Sequence, residues 1–173
     1  MFCGSLYGTD GAPGVYYFQV AISNYTKEDR LPDSITDGES LGKAILKTFP
    51  NAKIAPPLND GKATTQALEN FVFQELPAIK AGSLIFIYIA GHGSLKQYTR
   101  LANTYLVLKD GVASEMPNNG FRLHELLDGF RLCQPVTILC FIDCCFASGV
   151  SNNLFDNDKT ALSNLGVRSF ILC

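Results

Sequence analysis

The chain has 173 residues, of which 47% are hydrophobic and 17% charged, and its net charge is −2. This balance is typical of one compact domain and argues against a disordered region. The sequence contains no cluster of Lys or Arg, so neither a nucleic acid nor an anionic membrane surface is indicated as a partner.

The first residues, MFCGSLYGTDGAPG, contain neither a basic start nor a long apolar run, so they do not predict a secretion signal. The longest apolar run, LIFIYIA, is too short to cross a bilayer. We therefore expect a cytoplasmic protein. Its six cysteines have no repeating spacing, which in the reducing cytosol favours thiols over a disulfide scaffold.

Strands are predicted where apolar, β-branched and aromatic residues follow one another almost without a break. In chain order these runs are VYYFQVAI (15–22), SLIFIYIA (83–90), PVTILCFI (135–142) and VRSFIL (167–172). Such continuous runs are expected of a parallel sheet that is covered on both faces. A shorter run, AKIAP (52–56), is closed by two prolines and indicates an edge strand.

Helices are predicted between these strands. The segments 37–49, 63–75 and 121–130 carry apolar residues on one stripe. Strands that alternate with helices of this length indicate β-α-β units, so the predicted fold class is α/β with a mostly parallel sheet. The segment 94–120 is an exception. We interpret it as a long loop in which LANTYLVLKDG (101–111) is compatible with a short hairpin.

Two of the strong strands end in side chains that are capable of chemistry. LIFIYIA leads into GHGS, which places His92 between two glycines, and TILCFI leads into Asp143, Cys144 and Cys145. Ligands bind at the carboxyl ends of strands in an open parallel sheet. If the two strands are neighbours, an imidazole and a thiol meet there, which is the arrangement for nucleophilic catalysis by cysteine.

The blocks FIYIAGHGS and ILCFIDCCFASG resemble the two active-site blocks of the caspase-like cysteine proteases, closest to the metacaspase and paracaspase branch. RLPDSITDGESLGKAI is similar to the first loop and helix of that family, and KATTQALENFV to its second helix. The resemblance covers nearly the whole chain from about Val15. It implies a caspase-like three-layer sandwich and a cysteine endopeptidase that acts in regulated proteolysis or cell death.

The resemblance also implies roles for individual residues. His92 matches the catalytic histidine, and Cys145 matches the nucleophile because it is the third residue of the Asp-x-Cys motif. The backbone N–H groups of Gly93 and Cys145 would form the oxyanion hole. Cys144 is then a small apolar residue that packs beneath Cys145. The alternative, with Cys144 as the nucleophile, stays open.

Two acidic residues match substrate-binding positions of the metacaspase branch. Asp143 lies two residues before the nucleophile, and Asp37 lies in the SITDG loop after the first strand. Two carboxylates in one pocket favour a cation, so cleavage after Arg or Lys is expected. Ordinary roles are the alternatives. Asp37 would then cap a helix that begins at Gly38, and Asp143 would accept hydrogen bonds from the amides of its turn.

The sequence departs from the family pattern at two places. Relative to the family pattern Asp-x-Cys-x-Ser-Gly, one extra residue, Ala147, separates the nucleophile block from Ser148-Gly149, and the chain stops at Cys173. We therefore expect an N-terminal segment (1–14) followed by the large-subunit portion of a catalytic domain (15–173). A small-subunit chain or a C-terminal segment is the expected partner. A catalytically inactive caspase-like scaffold or interaction module in signalling is the alternative function.

No cofactor and no metal are expected. The loop after His92 lacks the carboxylates that calcium requires, so calcium activation is not supported by the sequence. We interpret the acidic pair Asp156 and Asp158 as a solvated loop. His124 lies near Cys133 in sequence, but a metal site requires more ligands, so a surface or boundary histidine is the preferred interpretation.

Overall fold

The computed structural model of the protein describes residues 12–98, 101–145 and 168–172. The strands of these ranges are, in chain order, β1 (Val15–Ala21), β2 (Lys53–Ile54), β3 (Leu58–Asn59), β4 (Leu84–Gly91), β5 (Gly93–Tyr98), β6 (Leu101–Val107), β7 (Gly120–Arg122), β8 (Thr137–Cys144) and β9 (Arg168–Leu172). The α-helices are α1 (Asp33–Thr48), α2 (Thr65–Asn70) and α3 (His124–Leu132), and a π-helical segment (Phe71–Glu75) continues α2.

The central sheet has the strand order β2-β1-β4-β8-β9, and β3 pairs with β1 beyond the end of β2. Every pair in this sheet is parallel. The four predicted strong strands and the predicted edge strand are therefore confirmed, with ends that shift by up to two residues. The register pairs Ala21 with Ala90 and Gly91 with Cys144. The carboxyl ends of β1, β4 and β8 consequently lie side by side.

Helices cover both faces of this sheet. One face packs against α1, with Tyr17, Tyr88 and Ile45 buried between them. The other face packs against α2, the π-helical segment and α3, and it buries the larger cluster, which includes Ile87 and Phe130. Burial of each large apolar side chain contributes about 1.5–3 kcal/mol. The predicted three-layer α/β architecture with a mostly parallel central sheet is confirmed.

Helix α1 begins four residues earlier than the sequence pattern predicts. Its buried positions in the first turns are Ser34, Gly38 and Gly42, which are too small to produce an apolar stripe in the sequence. A Cβ atom on Gly38 would lie 2.8 Å from Cδ1 of Tyr88, so the glycine allows the helix to lie close to the sheet. Asp37 therefore lies within α1. Its placement in a loop, and the alternative that it caps a helix at Gly38, were both wrong.

A second sheet forms where a long loop was predicted. Strands β5, β6 and β7 pair antiparallel in that order, and β5 extends over Gly93–Tyr98. The loop interpretation of this segment was wrong because β5 has the sequence GSLKQY, which contains no apolar run. Leu106, Val107 and Phe121 join the larger core cluster. The second sheet is thereby fixed beside the carboxyl end of β4. Among the helices of the described ranges, none has the length and apolarity that a membrane crossing requires.

Candidate active site

The ends of β4 and β8 bring His92 and Cys145 to one edge of the central sheet. Gly91 and Cys144 are register partners, and His92 and Cys145 are the residues that follow them. Neighbouring strands are about 4.8 Å apart, so the two backbones leave the sheet next to each other. Cys145 is exposed and His92 is half-buried. This placement leaves the thiol accessible to a substrate and gives the imidazole partial shelter from water.

Gly93 and Cys145 are in direct backbone contact. A Cβ atom on Gly93 would overlap the carbonyl oxygen of Cys145 and would lie 3.2 Å from its amide nitrogen. No residue other than glycine fits this position without movement of the chain. The two amides that the family resemblance assigns to an oxyanion hole therefore belong to adjoining backbone segments.

The imidazole of His92 is held by a main-chain carbonyl. Its Nε2 atom lies 2.8 Å from the carbonyl oxygen of Asp29. A carbonyl oxygen only accepts hydrogen bonds, so Nε2 carries the proton and Nδ1 has the lone pair that can accept one. The sequence gives no indication of this role for Asp29, because any residue has a carbonyl group.

Tyr25 contacts both the ring and the backbone of His92. The two rings are 4.7 Å apart at 50°. The Tyr25 hydroxyl accepts a hydrogen bond of 2.7 Å from the His92 amide and donates one of 3.2 Å to the carbonyl of Val107. Burial raises the pKa of Tyr25 well above its ordinary value, so the hydroxyl stays protonated. Sequence reasoning also missed Tyr25, since its contacts depend on the path of the loop after β1.

Asp60 anchors that loop. Its carboxylate accepts hydrogen bonds from the amides of Ser23 (2.8 Å) and Asn24 (2.9 Å) and from the Asn24 side chain (2.8 Å). Burial alone raises the pKa of Asp60, but these hydrogen bonds and nearby Lys109 lower it below the ordinary value of 3.8. Asp60 therefore holds the loop that contains Tyr25 and Asp29, and these two residues contact His92. Asp60 acts on the position of His92 only through this loop.

The two predicted substrate-binding acids lie on the α1 side of the sheet. Asp37 and Asp143 are both exposed. Asp143 is the register partner of Ala90, and Asp37 precedes Gly38, whose position adjoins the Tyr88 ring. Burial raises the pKa of Tyr88 to about 12, and the negative charges of Asp143 and Asp37 add to this rise. Both carboxylates therefore act on the same phenol from the α1 side of the sheet.

The other thiols differ from Cys145 in exposure. The four described cysteines, Cys133, Cys140, Cys144 and Cys145, are thiols. Cys144 is half-buried and packs against the larger core cluster. Cys133 and Cys140 are buried. Burial raises the pKa of Cys133 to about 12, so this thiol stays protonated.

The remaining candidates are a surface pair and residues outside the described ranges. His124 is partly exposed, and its Nε2 atom lies 4.0 Å from Oδ1 of Asp128 in the next turn of α3. Within the part of the chain that the structure describes, no three His, Cys, Asp or Glu residues are grouped as metal ligands. Ala147, Asp156 and Asp158 lie outside the described residues.

Comparison with known proteins gives structural matches only. No protein-family model and no curated protein matches the chain. The crystal structure of protein GSU0716 from Geobacter sulfurreducens matches with a TM-score of 0.65 at 13% identity, covering 92% of this chain and 72% of that one. The Drosophila initiator caspase Dronc matches with a TM-score of 0.47 at 15% identity, covering 73% of this chain and 47% of Dronc. At such low identity, the likeness to the Geobacter protein concerns the fold alone.

Proposed function

We propose that this protein is a caspase-like cysteine endopeptidase in which Cys145 is the nucleophile and His92 is the general base. The observation that carries the proposal is the pairing of β4 with β8, which places both residues at one edge of the sheet. The exposure of Cys145 and the contact between Gly93 and Cys145 support it. The resemblance of the two sequence blocks to caspase-like proteases supplies the reaction class.

The proposed mechanism uses the thiol, the imidazole and backbone amides. Nδ1 of His92 takes the proton from the Cys145 thiol, and the thiolate attacks the scissile carbonyl carbon. The amides of Gly93 and Cys145 stabilise the oxyanion that forms. The imidazolium returns its proton to the leaving amine, and water then hydrolyses the thioester. Asp29 stabilises the imidazolium through its carbonyl, because Nε2 keeps its proton throughout.

The proposed substrate has Arg or Lys before the scissile bond. Asp37 and Asp143 provide two negative charges on the α1 side of the sheet, and both raise the pKa of Tyr88, which is buried between α1 and the sheet. An aspartate at this substrate position would face two like charges, which costs several kcal/mol when desolvated. An arginine can engage both carboxylates through its planar guanidinium group.

The proposed partner is a small-subunit chain or a C-terminal segment. In the described part of the chain, β9 is the last strand on its side of the central sheet. An edge strand exposes a row of N–H and C=O groups that can pair with a further strand. A segment that adds strands beside β9 would extend the sheet and the substrate groove. We further propose that the protein acts in the cytoplasm.

The proposed function is tested with the full-length protein and a fluorogenic peptide that ends in arginine. We expect Cys145→Ala to abolish cleavage and Cys144→Ala, the matched control, to keep most of it. A peptide with an electrophilic ketone after arginine should alkylate Cys145 much faster than the other thiols. A folded protein that neither cleaves the peptide nor reacts with the probe would favour the inactive scaffold. Loss of activity in Cys144→Ala alone would reverse the assignment of the nucleophile.

A further inference from the structure

We propose that Tyr25 is a positioning residue that fixes both the backbone and the ring orientation of His92. The inference rests on the proposed function, in which His92 is the general base. Tyr25 bonds to the backbone of His92 and packs against its ring. It acts through the histidine.

A closed set of three hydrogen bonds joins His92, Tyr25 and Val107. The His92 amide donates to the Tyr25 hydroxyl (2.7 Å), and that hydroxyl donates to the Val107 carbonyl (3.2 Å). The Val107 amide in turn donates to the His92 carbonyl (2.8 Å). Both backbone polar groups of His92 are thus bonded, one directly to β6 and the other through the phenol. The backbone of His92 cannot rotate without breaking this set.

The side chain of His92 is held by the same loop. The Tyr25 ring packs against the imidazole at 4.7 Å, and the Asp29 carbonyl binds Nε2 at 2.8 Å. The Tyr25 ring limits the tilt of the imidazole, and the Asp29 carbonyl fixes its rotation and its tautomer. Both come from the loop that Asp60 anchors. The loop therefore presents Nδ1 as the available base atom.

A tyrosine meets these requirements and a phenylalanine does not. The hydroxyl accepts one hydrogen bond and donates another, so its loss would leave the His92 amide and the Val107 carbonyl without their partners. Gly91 provides the space for this hydroxyl, since a Cβ atom there would lie 2.6 Å from it. Gly91, the residue before His92, therefore leaves the room that the Tyr25 hydroxyl needs to bond the His92 amide.

A kinetic experiment separates a positioning role from a general contribution to stability. We compare Tyr25→Phe and Tyr25→Leu with Tyr16→Phe, which removes another buried phenol oxygen at the opposite end of the sheet, beside Lys53. In the full-length enzyme, Tyr25→Phe should lower kcat about 10-fold and leave KM within about twofold. Tyr25→Leu should lower kcat further, and Tyr16→Phe should change neither value by more than about twofold. Wild-type kcat in Tyr25→Phe, or a loss confined to KM, would overturn the proposal.

Nuclear magnetic resonance of the His92 ring nitrogens gives a readout that does not depend on activity. The wild-type ring should be held in the Nε2–H form, and Tyr25→Phe should exchange its His92 amide proton at least about 10-fold faster. Tyr25→Leu should in addition let the ring tilt away from the Asp29 carbonyl, so that the two tautomers mix. If these changes occur in a protein without peptidase activity, the proposed function fails and the positioning role stands. Unchanged His92 signals in the Tyr25 variants overturn the positioning role, whatever the activity.

Discussion

Gly93 and Cys145 pack backbone against backbone, so closely that any β-carbon on Gly93 would overlap the Cys145 carbonyl oxygen. The main chain of Cys145, the proposed nucleophile, and not a side chain, occupies the space next to the glycine. The contact couples the segment after β4 to the segment after β8. A change of one atom at Gly93 should therefore displace the thiol from the histidine.

Gly93→Ala should lower kcat/KM for an arginyl peptide by at least about 100-fold, since a displacement of about 1 Å in a catalytic group has effects of this size. The measurement is steady-state cleavage by the full-length enzyme. Gly14→Ala is the matched control, because a Cβ atom on Gly14 makes only ordinary contacts with the Tyr16 side chain, the nearest at 3.4 Å. A Gly93→Ala enzyme as active as Gly14→Ala would contradict the proposed arrangement of the site.

Asp143→Asn and Asp37→Asn should each weaken the preference for arginine. Loss of one charged hydrogen-bond partner typically costs about 1.5–3 kcal/mol, which corresponds to a fall of about 10- to 100-fold in kcat/KM. A panel of peptides that differ only before the scissile bond measures this. Glu39→Gln removes an equal charge from the exposed face of α1 near Asp37 and serves as the control. Efficient cleavage after aspartate by the wild-type enzyme, or an unchanged preference in Asp143→Asn, would rule out the acidic pocket.

Asp60→Asn should destabilise the protein at neutral pH by about 1 kcal/mol, less than is usual for hydrogen bonds to a charged group, because the carboxylate is partly solvated. Asparagine tolerates the positive φ of 49° at this position, so the substitution tests the charge. The folded-state pKa of Asp60 lies below the ordinary 3.8, so its contribution is full above that value and is lost as pH falls through the folded pKa.

Urea denaturation of the two proteins from neutral pH to about pH 3 measures the Asp60 effect. The difference in the free energy of unfolding should be constant near neutrality and shrink below pH 3.8. Asp128→Asn removes a carboxylate that pairs with Arg131 on the surface of α3, and should cost less. A difference that grows toward acid pH would show that the charge of Asp60 does not stabilise the loop.

Alkylation of the native protein should distinguish the thiols by burial. At mildly alkaline pH, among the four cysteines that the structure describes, iodoacetamide should modify exposed Cys145 first and half-buried Cys144 more slowly. Cys133 should stay unmodified until the protein unfolds, because burial raises the pKa of its thiol to about 12. Mass spectrometry of peptides over time follows each site. Early modification of Cys133 in the folded protein would contradict the packing of α3 against the core.

The sequence allowed the centre of the fold to be predicted because long apolar strands produce a strong signal. The runs that became β4 and β8 showed both the parallel sheet and the positions of His92 and Cys145 at its edge. The start of α1 was missed because small residues such as Ser34 and Gly38 form its buried face. Strand β5 was missed because its residues are mostly polar. A hydropathy pattern detects neither a helix face that packs through glycine nor a strand made mostly of polar residues.

The contacts that hold His92 in place could not be predicted from the sequence, for a different reason. Asp29 acts through its carbonyl, and Asp60 acts on the amides of a loop more than 30 residues before it. Neither role depends on a motif of neighbouring residues. Tyr25 follows β1 closely in the sequence, but its partners lie in the segments after β4 and at the end of β6. Only the folded path of the chain reveals these contacts.

The separation of His92 and Cys145 along the chain determines when the site can form as the protein is synthesised and folds. The pairing of β4 with β8 brings the two residues to one end of the sheet, and about 50 residues lie between these partners. Parallel pairing over such a distance requires the closure of a long loop, so it is slow compared with helix formation. During synthesis, the histidine leaves the ribosome well before the cysteine. In a nascent chain of the proposed peptidase, the imidazole therefore has no thiol beside it to activate. Proteolysis begins only after β8 has paired with β4.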